Sequence, residues 1–299
     1  MSWWHKHAQL ISCDEATFNA WCGVEKKSDI NDHLLAKGRK VRALVRDPHA
    51  AAAQILLPAG VEIVQGDIND PASLEATMQN VYGVFSVQPH SDDEAHQGKG
   101  VADVAQAVGI QHFVYTSIGS AEELFRRRVN VGKWEIEQHI RKLGLPATIL
   151  RPAGFMDSFT HPLYGVSGDT LAIPIKPDTA YPLIAVDDIG AFAAFAFDSP
   201  DDYLGRVIEL VGDTPTPPQI ATAITRATGR HISYVHISIE TVRQQNAELA
   251  RACDFINESG FKADIAALRK LHPGLMNFET WLEKKGKAQF EAINRSKHG

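Results

Sequence analysis

Between Arg39 and about Leu210 the chain repeats one unit: a short β-rich run, a turn, a helical stretch, then another β-rich run. The runs occupy residues 41–45, 61–64, 83–87, 112–116 and 147–150, so successive starts lie 20 to 35 residues apart. Parallel neighbours need a crossover of a dozen or more residues, usually a helix, and this spacing leaves room for one each time. The run 83–87 is compact and apolar, as a strand buried on both faces should be. Helices are predicted over 71–78, with Asp70 as cap and Pro71 in the first turn, over 93–108, and from Lys133 to Leu143. Gly144 and Pro146 end the last of these. The pattern specifies an α/β fold, a doubly wound parallel sheet of Rossmann type.

Beyond Pro152 the regularity loosens, and Gly165, Gly168, Pro174, Pro177 and Pro182 break the chain into loops and short strands. Asp187-Asp188-Ile189-Gly190 then opens an Ala/Phe-rich helix that returns to the main sheet. After Pro215-Thr216-Pro217-Pro218 come a helix, a strand at 233–237 and a mainly helical tail. The expected organisation is a nucleotide-binding domain over 33–155, rejoined by 183–210. A smaller α+β lobe, 156–182 and 211–299, lies over the carboxyl edge of the sheet.

The first 32 residues do not suit this plan. A doubly wound fold normally begins with a strand, a glycine-rich turn and a helix whose amino terminus receives a pyrophosphate. Residues 1–33 hold one glycine, Gly23, and no apolar run longer than Leu10-Ile11, yet three of the five tryptophans and two of the three cysteines. The expectation is that residues 1–32 are foreign to the fold, by frameshift, mispredicted start or recombination; the competing reading is a genuine divergent terminus. On the first reading the opening strand is missing, a gap is left beside the central strands, sheet edges lie uncovered and dinucleotide binding is impaired.

Composition excludes several classes. The hydrophobic fraction of 44% and charged fraction of 22% are those of a globular protein, and no apolar run approaches the roughly 20 residues that cross a bilayer. No signal-peptide pattern is present, so a cytoplasmic location is expected. Cys13, Cys22 and Cys253 have no zinc-ligand spacing and read as reduced thiols, with no metal site. A net charge of −6, with Arg126-Arg127-Arg128 the one basic run, argues against direct nucleic-acid binding.

Several motifs stand in a fixed order: Leu34-Leu35-Ala36-Lys37-Gly38, Val41 to Pro48, Gly66-Asp67-Ile68-Asn69-Asp70, Val114-Tyr115-Thr116-Ser117, Lys133 in a helix start, and Leu150-Arg151-Pro152-Ala153-Gly154-Phe155-Met156-Asp157. From Leu34 to about Leu282 the sequence resembles the NmrA-like branch of the atypical short-chain dehydrogenases. Each motif alone is weak; their order and spacing are specific.

The resemblance implies an NADP site, with NAD less favoured. Arg46, at a strand end, would pair with the 2′-phosphate of the adenine ribose, or is simply a solvated Arg; Asp47 beside it keeps NAD open. Asp67 and Ile68 would bracket the adenine, or cap the next helix. Ser86, Val87 and Gln88 would line the ribose and nicotinamide side, and His96 falls where a family member carries a cofactor-contacting Lys. Ser117 occupies the position of the superfamily's hydroxyl residue, or caps its strand. Lys133 would hold the nicotinamide ribose or act as a general base in a dry pocket. Pro152, Phe155, Met156, Asp157 and Ser158 would pack along the nicotinamide. The Tyr usually found four residues before the Lys is replaced by Val129, and no Y-x-x-x-K occurs in the chain. Two functions follow: an NAD(P)H-dependent oxidoreductase acting on a quinone or similar conjugated carbonyl compound, or a non-catalytic NADP(H) sensor acting through a protein partner.

Overall fold

The computed structural model describes residues 7–11, 29–88, 90–161, 165–258 and 261–296. In chain order the first half contains β1 (His7–Ile11), α1 (Asp29–Ala36), β2 (Lys40–Val45), β3 (Glu62–Gln65), α2 (Pro71–Met78), β4 (Gly83–Ser86), α3 (Glu94–Ala107), β5 (His112–Thr116), α4 (Ala121–Arg126), α5 (Val131–Leu143) and β6 (Ala147–Pro152). There follow β7 (Gly154–Phe155), β8 (Val166–Ser167), β9 (Thr170–Ile173), β10 (Leu183–Ile184), α6 (Val186–Asp198), β11 (Val207–Leu210), α7 (Pro217–Thr228), β12 (Ser233–His236), α8 (Ile239–Gln245) and α9 (Ala247–Glu258). The spatial order β3-β2-β1-β4-β5-β6-β11 makes a seven-stranded sheet in which every pairing is parallel.

Strand alternation distributes side chains to two helical layers. Val41, Ala43, Phe85, Val114, Leu150 and Ile208 pack with Ile30 and Leu34 of α1 and with Phe192, Ala193 and Phe197 of α6. Their neighbours Leu44, Val84, Phe113, Tyr115 and Ile149 pack with Leu74, Met78, Val101, Ala105, Ile136 and Ile140 on α2, α3 and α5. Asp70 caps α2 by accepting from the Ala72 N–H, and Gly144 ends α5 in the left-handed region at φ 66°. A second core, around Phe159, Leu171, Ile220, Ile224, Phe278 and Trp281, belongs to the smaller sheets and the carboxyl-terminal helices.

The amino terminus corrects the expectation drawn from sequence. His7–Ile11 enters the sheet between β2 and β4, with Ala8 opposite Val41 on one side and Gly83 on the other. The gap beside the central strands is therefore filled, and the edges of the sheet are β3 and β11. Backbone ladders pair any extended segment without proline, so a five-residue run with only Leu10-Ile11 as large apolar residues suffices. The first helix starts at Asp29, four residues before His33, and already buries Ile30 and Asn31. The missing glycine-rich turn, with Cys13 and Cys22, lies outside the described residues; Cys253 is a buried free thiol whose pKa burial pushes up to about 12.

Two predictions follow from this architecture. Leu10→Pro removes an N–H from a strand paired on both sides and is expected to destabilise the protein by about 3 kcal/mol in urea unfolding. An unchanged midpoint would mean that β1 is not part of the sheet. The second concerns His112, fully buried at the start of β5. The Thr148 hydroxyl donates to the Tyr203 carbonyl, so its oxygen accepts from His112 Nε2 at 2.8 Å and the ring is neutral, with Nδ1 bare. Burial lowers the His112 pKa from 6.5 to about 4. The unfolded chain then takes up a proton that the folded one refuses, so this contribution is whole above about pH 6.5 and is lost as pH falls towards 4, a loss of about 3 kcal/mol. His112→Asn should flatten the decline of stability over that window, read as unfolding midpoints at a series of pH values.

Candidate functional site

The carboxyl ends of β4, β5 and β6 open into a cavity of about 370 Å³, the size of a small-molecule site. The strand-end residues Val87, Gln88, Thr116, Ser117 and Pro152, with Lys133, form its floor; Phe155, Ser158, Phe159, Tyr181, Leu124, Val129 and Asn130 also line it. The segment from α8 to α9, through Asn246, Glu248, Leu249, Ala252, Phe255 and Ile256, lies over it together with Phe261. Most of this lining is aliphatic or aromatic.

Polar groups concentrate at one end. Lys133, in the first turn of α5, donates from Nζ to the Gln88 carbonyl at 2.6 Å and lies 2.9 Å from Glu94 Oε1. Glu94 is 1% exposed and Lys133 10%, so the pair sits out of water. The other Glu94 oxygen is 3.3 Å from His90 Nδ1, and His90 Nε2 is 3.6 Å from Glu248 Oε1, which accepts from the Asn130 N–H. The Glu94 hydrogen bond raises the His90 pKa, burial opposes it, the Glu94 and Glu248 charges add to the rise and Lys133 subtracts from it. Positive φ at Arg128 (56°) and Asn130 (47°) brackets Val129, which lines the cavity.

The residues expected from sequence divide by position. Val87, Gln88, Ser117, Lys133, Pro152, Phe155 and Ser158 line the cavity. Ser86 lies beneath it, its hydroxyl accepting from Gln88 Nε2 at 2.8 Å. Arg46, Asp67 and Ile68 follow β2 and β3 on the same sheet edge, on the far side of β1 and outside the cavity. Asp67 Oδ1 accepts from the Asn69 N–H, which closes the turn before α2, and Ile68 packs half-buried against the cluster of Leu44 and Leu74. His96 is exposed on α3 and away from the cavity. The run 155–158 is split: the turn Met156–Thr160 is 3-10, with three residues per turn, so Phe155 and Ser158 share the cavity side. Met156 is fully buried in the second core, and the Asp157 carboxylate accepts from the Val186 N–H, its pKa raised by burial. Lys133 thus reaches the cavity with its Nζ held between the Gln88 carbonyl and the Glu94 carboxylate.

His90, Glu94 and Glu248 escaped the reading from sequence. The spacing of four between His90 and Glu94 at a helix start was the available signal, because such residues face each other. Nothing in sequence announces Glu248, which arrives from a helix more than a hundred residues away.

The chain matches the NmrA-like family over residues 27–282. It is 30% identical over 214 residues to an NAD(P)H azoreductase of Xenophilus azovorans, an alignment covering 68% of this chain and 70% of the relative. Among solved structures, NmrA, a negative transcriptional regulator in complex with NADP, superimposes with a TM-score of 0.74 at 23% identity, covering 97% of both chains. The NADPH-dependent quinone oxidoreductase QOR2 of Escherichia coli, complexed with NADPH, gives 0.73 at 22% identity, covering 92% of this chain and 98% of its own. At such identities the two structures speak for the fold.

The buried pair itself is open to a direct measurement. Lys133→Met strands the Glu94 carboxylate with only a titratable partner, and urea unfolding is expected to register a loss of roughly 3 kcal/mol or more. Adding Glu94→Gln removes the stranded charge and should restore most of that stability; a strictly additive double variant would deny the coupling.

Proposed function

We propose that this chain, which belongs to the NmrA-like family, is an NAD(P)H-dependent reductase of a flat, apolar, conjugated acceptor such as a quinone. The observation that carries the reading is the apolar cavity lying directly over a polar floor at the carboxyl ends of β4 and β5. Three floor atoms, Thr116 Oγ1, Ser117 Oγ and Gln88 Oε1, are buried without a hydrogen-bond partner among the described residues. Buried polar atoms seek partners, and the hydroxyl and amide groups of a nicotinamide riboside would supply them beside the Lys133 ammonium. The residues present therefore fit such a group.

A reduced nicotinamide held there would supply a hydride to the acceptor. The chain's own contribution is placement. Thr116, Ser117 and Lys133 hold the ribose side, while Phe155, Tyr181, Leu249 and Phe255 orient a planar apolar acceptor and keep water out. Val129 in place of Tyr removes the usual acid, which a hydride acceptor of this type tolerates better than an isolated ketone does. Arg46, exposed after β2, suits a 2′-phosphate and favours NADP over NAD. The names of the azoreductase relative and the quinone oxidoreductase neighbour agree with a conjugated acceptor. The same loss of Tyr also fits a sensor that binds NADP(H) without turnover and acts through a protein partner.

NADPH oxidation followed at 340 nm with simple benzo- and naphthoquinones is expected to show turnover, faster with NADPH than with NADH. Calorimetry alongside should find affinity weaker than submicromolar, because residues 12–28 offer Gly23 as their one glycine for the pyrophosphate. Binding without any cofactor consumption would move the chain to the sensor reading.

A further inference from the structure

Glu94 faces two basic groups at once, Lys133 on Oε1 and the His90 ring on Oε2, and both border the same cavity. Lys133 stands on α5 where the superfamily Lys assists its Tyr, and Val129 has removed the Tyr. Among the described residues, the charged groups that act on the His90 ring include Glu94 from α3, Lys133 from α5 and Glu248 from α9. Nδ1 is held by Glu94, and Nε2 lies 3.6 Å from Glu248, at ion-pair distance and longer than a hydrogen bond. The ring is 34% exposed, so one edge reaches solvent while the residue lines the cavity.

We infer that His90 is the proton donor of this site, giving its Nε2 proton to the acceptor in place of the absent tyrosine, with Glu94 as the residue that positions it. The inference rests on the reductase reading above. In the step the His90 N–H bond breaks and an O–H bond forms on the acceptor's carbonyl oxygen, which receives the π electron pair. Hydride from the reduced nicotinamide adds to the conjugated system, so the acceptor gains two electrons and the cofactor loses two. The neutral imidazole then recovers a proton from water at its exposed edge. The Glu94 hydrogen bond and the Glu94 and Glu248 charges, against burial and the Lys133 ammonium, raise the ring's pKa above its ordinary value.

The test combines titration with kinetics. In the cofactor-free protein the His90 ring resonances should titrate above the ordinary value of about 6.5, and Glu248→Gln, which keeps the oxygen that accepts from Asn130, should lower that midpoint. In quinone reduction the parent's rate should fall on the alkaline side with the same midpoint. Glu248→Gln should move that limb to lower pH, and His90→Gln should lower kcat about 100-fold or more and abolish the limb. His90→Gln should keep the parent's NADPH affinity and melting temperature. Parent turnover that His90→Gln retains with its alkaline limb overturns the inference and leaves the reductase standing. A ring titrating at or below the ordinary value overturns it as well, and a parent without turnover overturns both.

Discussion

A sheet whose strands all run one way has all its carboxyl ends on one edge, and in this protein both faces of that sheet are covered. Helices α1 and α6 close one face, and α2, α3 and α5 the other. In a sheet covered in this way, ligands are expected outside the carboxyl ends of the strands. There the connections diverge from β1, towards β2 and β3 on one side and β4, β5, β6 and β11 on the other. The crevice is a consequence of topology, and the segments carrying Phe155, Tyr181 and Leu249 enclose part of it as a cavity.

Two fully buried carboxylates show how the same cost leads to different uses. Glu137, with no exposure, is bonded by Arg151 through Nε at 2.9 Å and Nη2 at 2.7 Å, and by Arg141. Arg151 also pairs with Glu209, which accepts from the Ser120 N–H and whose pKa burial raises. Guanidinium groups do not titrate in the accessible range, so this network ties α5, β6 and β11 together at any ordinary pH. Glu94 has one ammonium and one imidazole. An imidazole changes charge near neutrality, and that difference makes the Glu94 cluster capable of moving a proton while the Glu137 cluster is a brace.

The strands β2, β3, β4, β5 and β6 and the helices α2, α3 and α5 were legible because buried parallel strands are written as apolar runs and because Asp70, Pro71 and Gly144 mark helix ends. β5 and α2 match residue for residue. β1 was not legible: its pairing uses backbone, which no side-chain pattern advertises in five residues. In the site, Gln88, Ser117, Lys133 and Phe155 were readable because strand ends and helix starts fix them locally. Met156 and Asp157 fall outside the cavity lining because a 3-10 turn rotates adjacent side chains apart, a conformation their sequence does not signal. The covering residues Glu248, Phe255 and Phe261 reach the cavity through tertiary packing that no local spacing encodes.

The amino-terminal segment separates what a fold requires from what a site requires. Any extended stretch can complete the ladder between β2 and β4, and the family match begins only at residue 27, after β1. A pyrophosphate is a stricter customer, since it needs backbone N–H groups brought close by residues without side chains, and between Ile11 and Asp29 the sequence offers a single glycine. Among the described residues, those that line the cavity all come after Ser86. On the function proposed above, acceptor recognition and cofactor affinity draw on different parts of the chain.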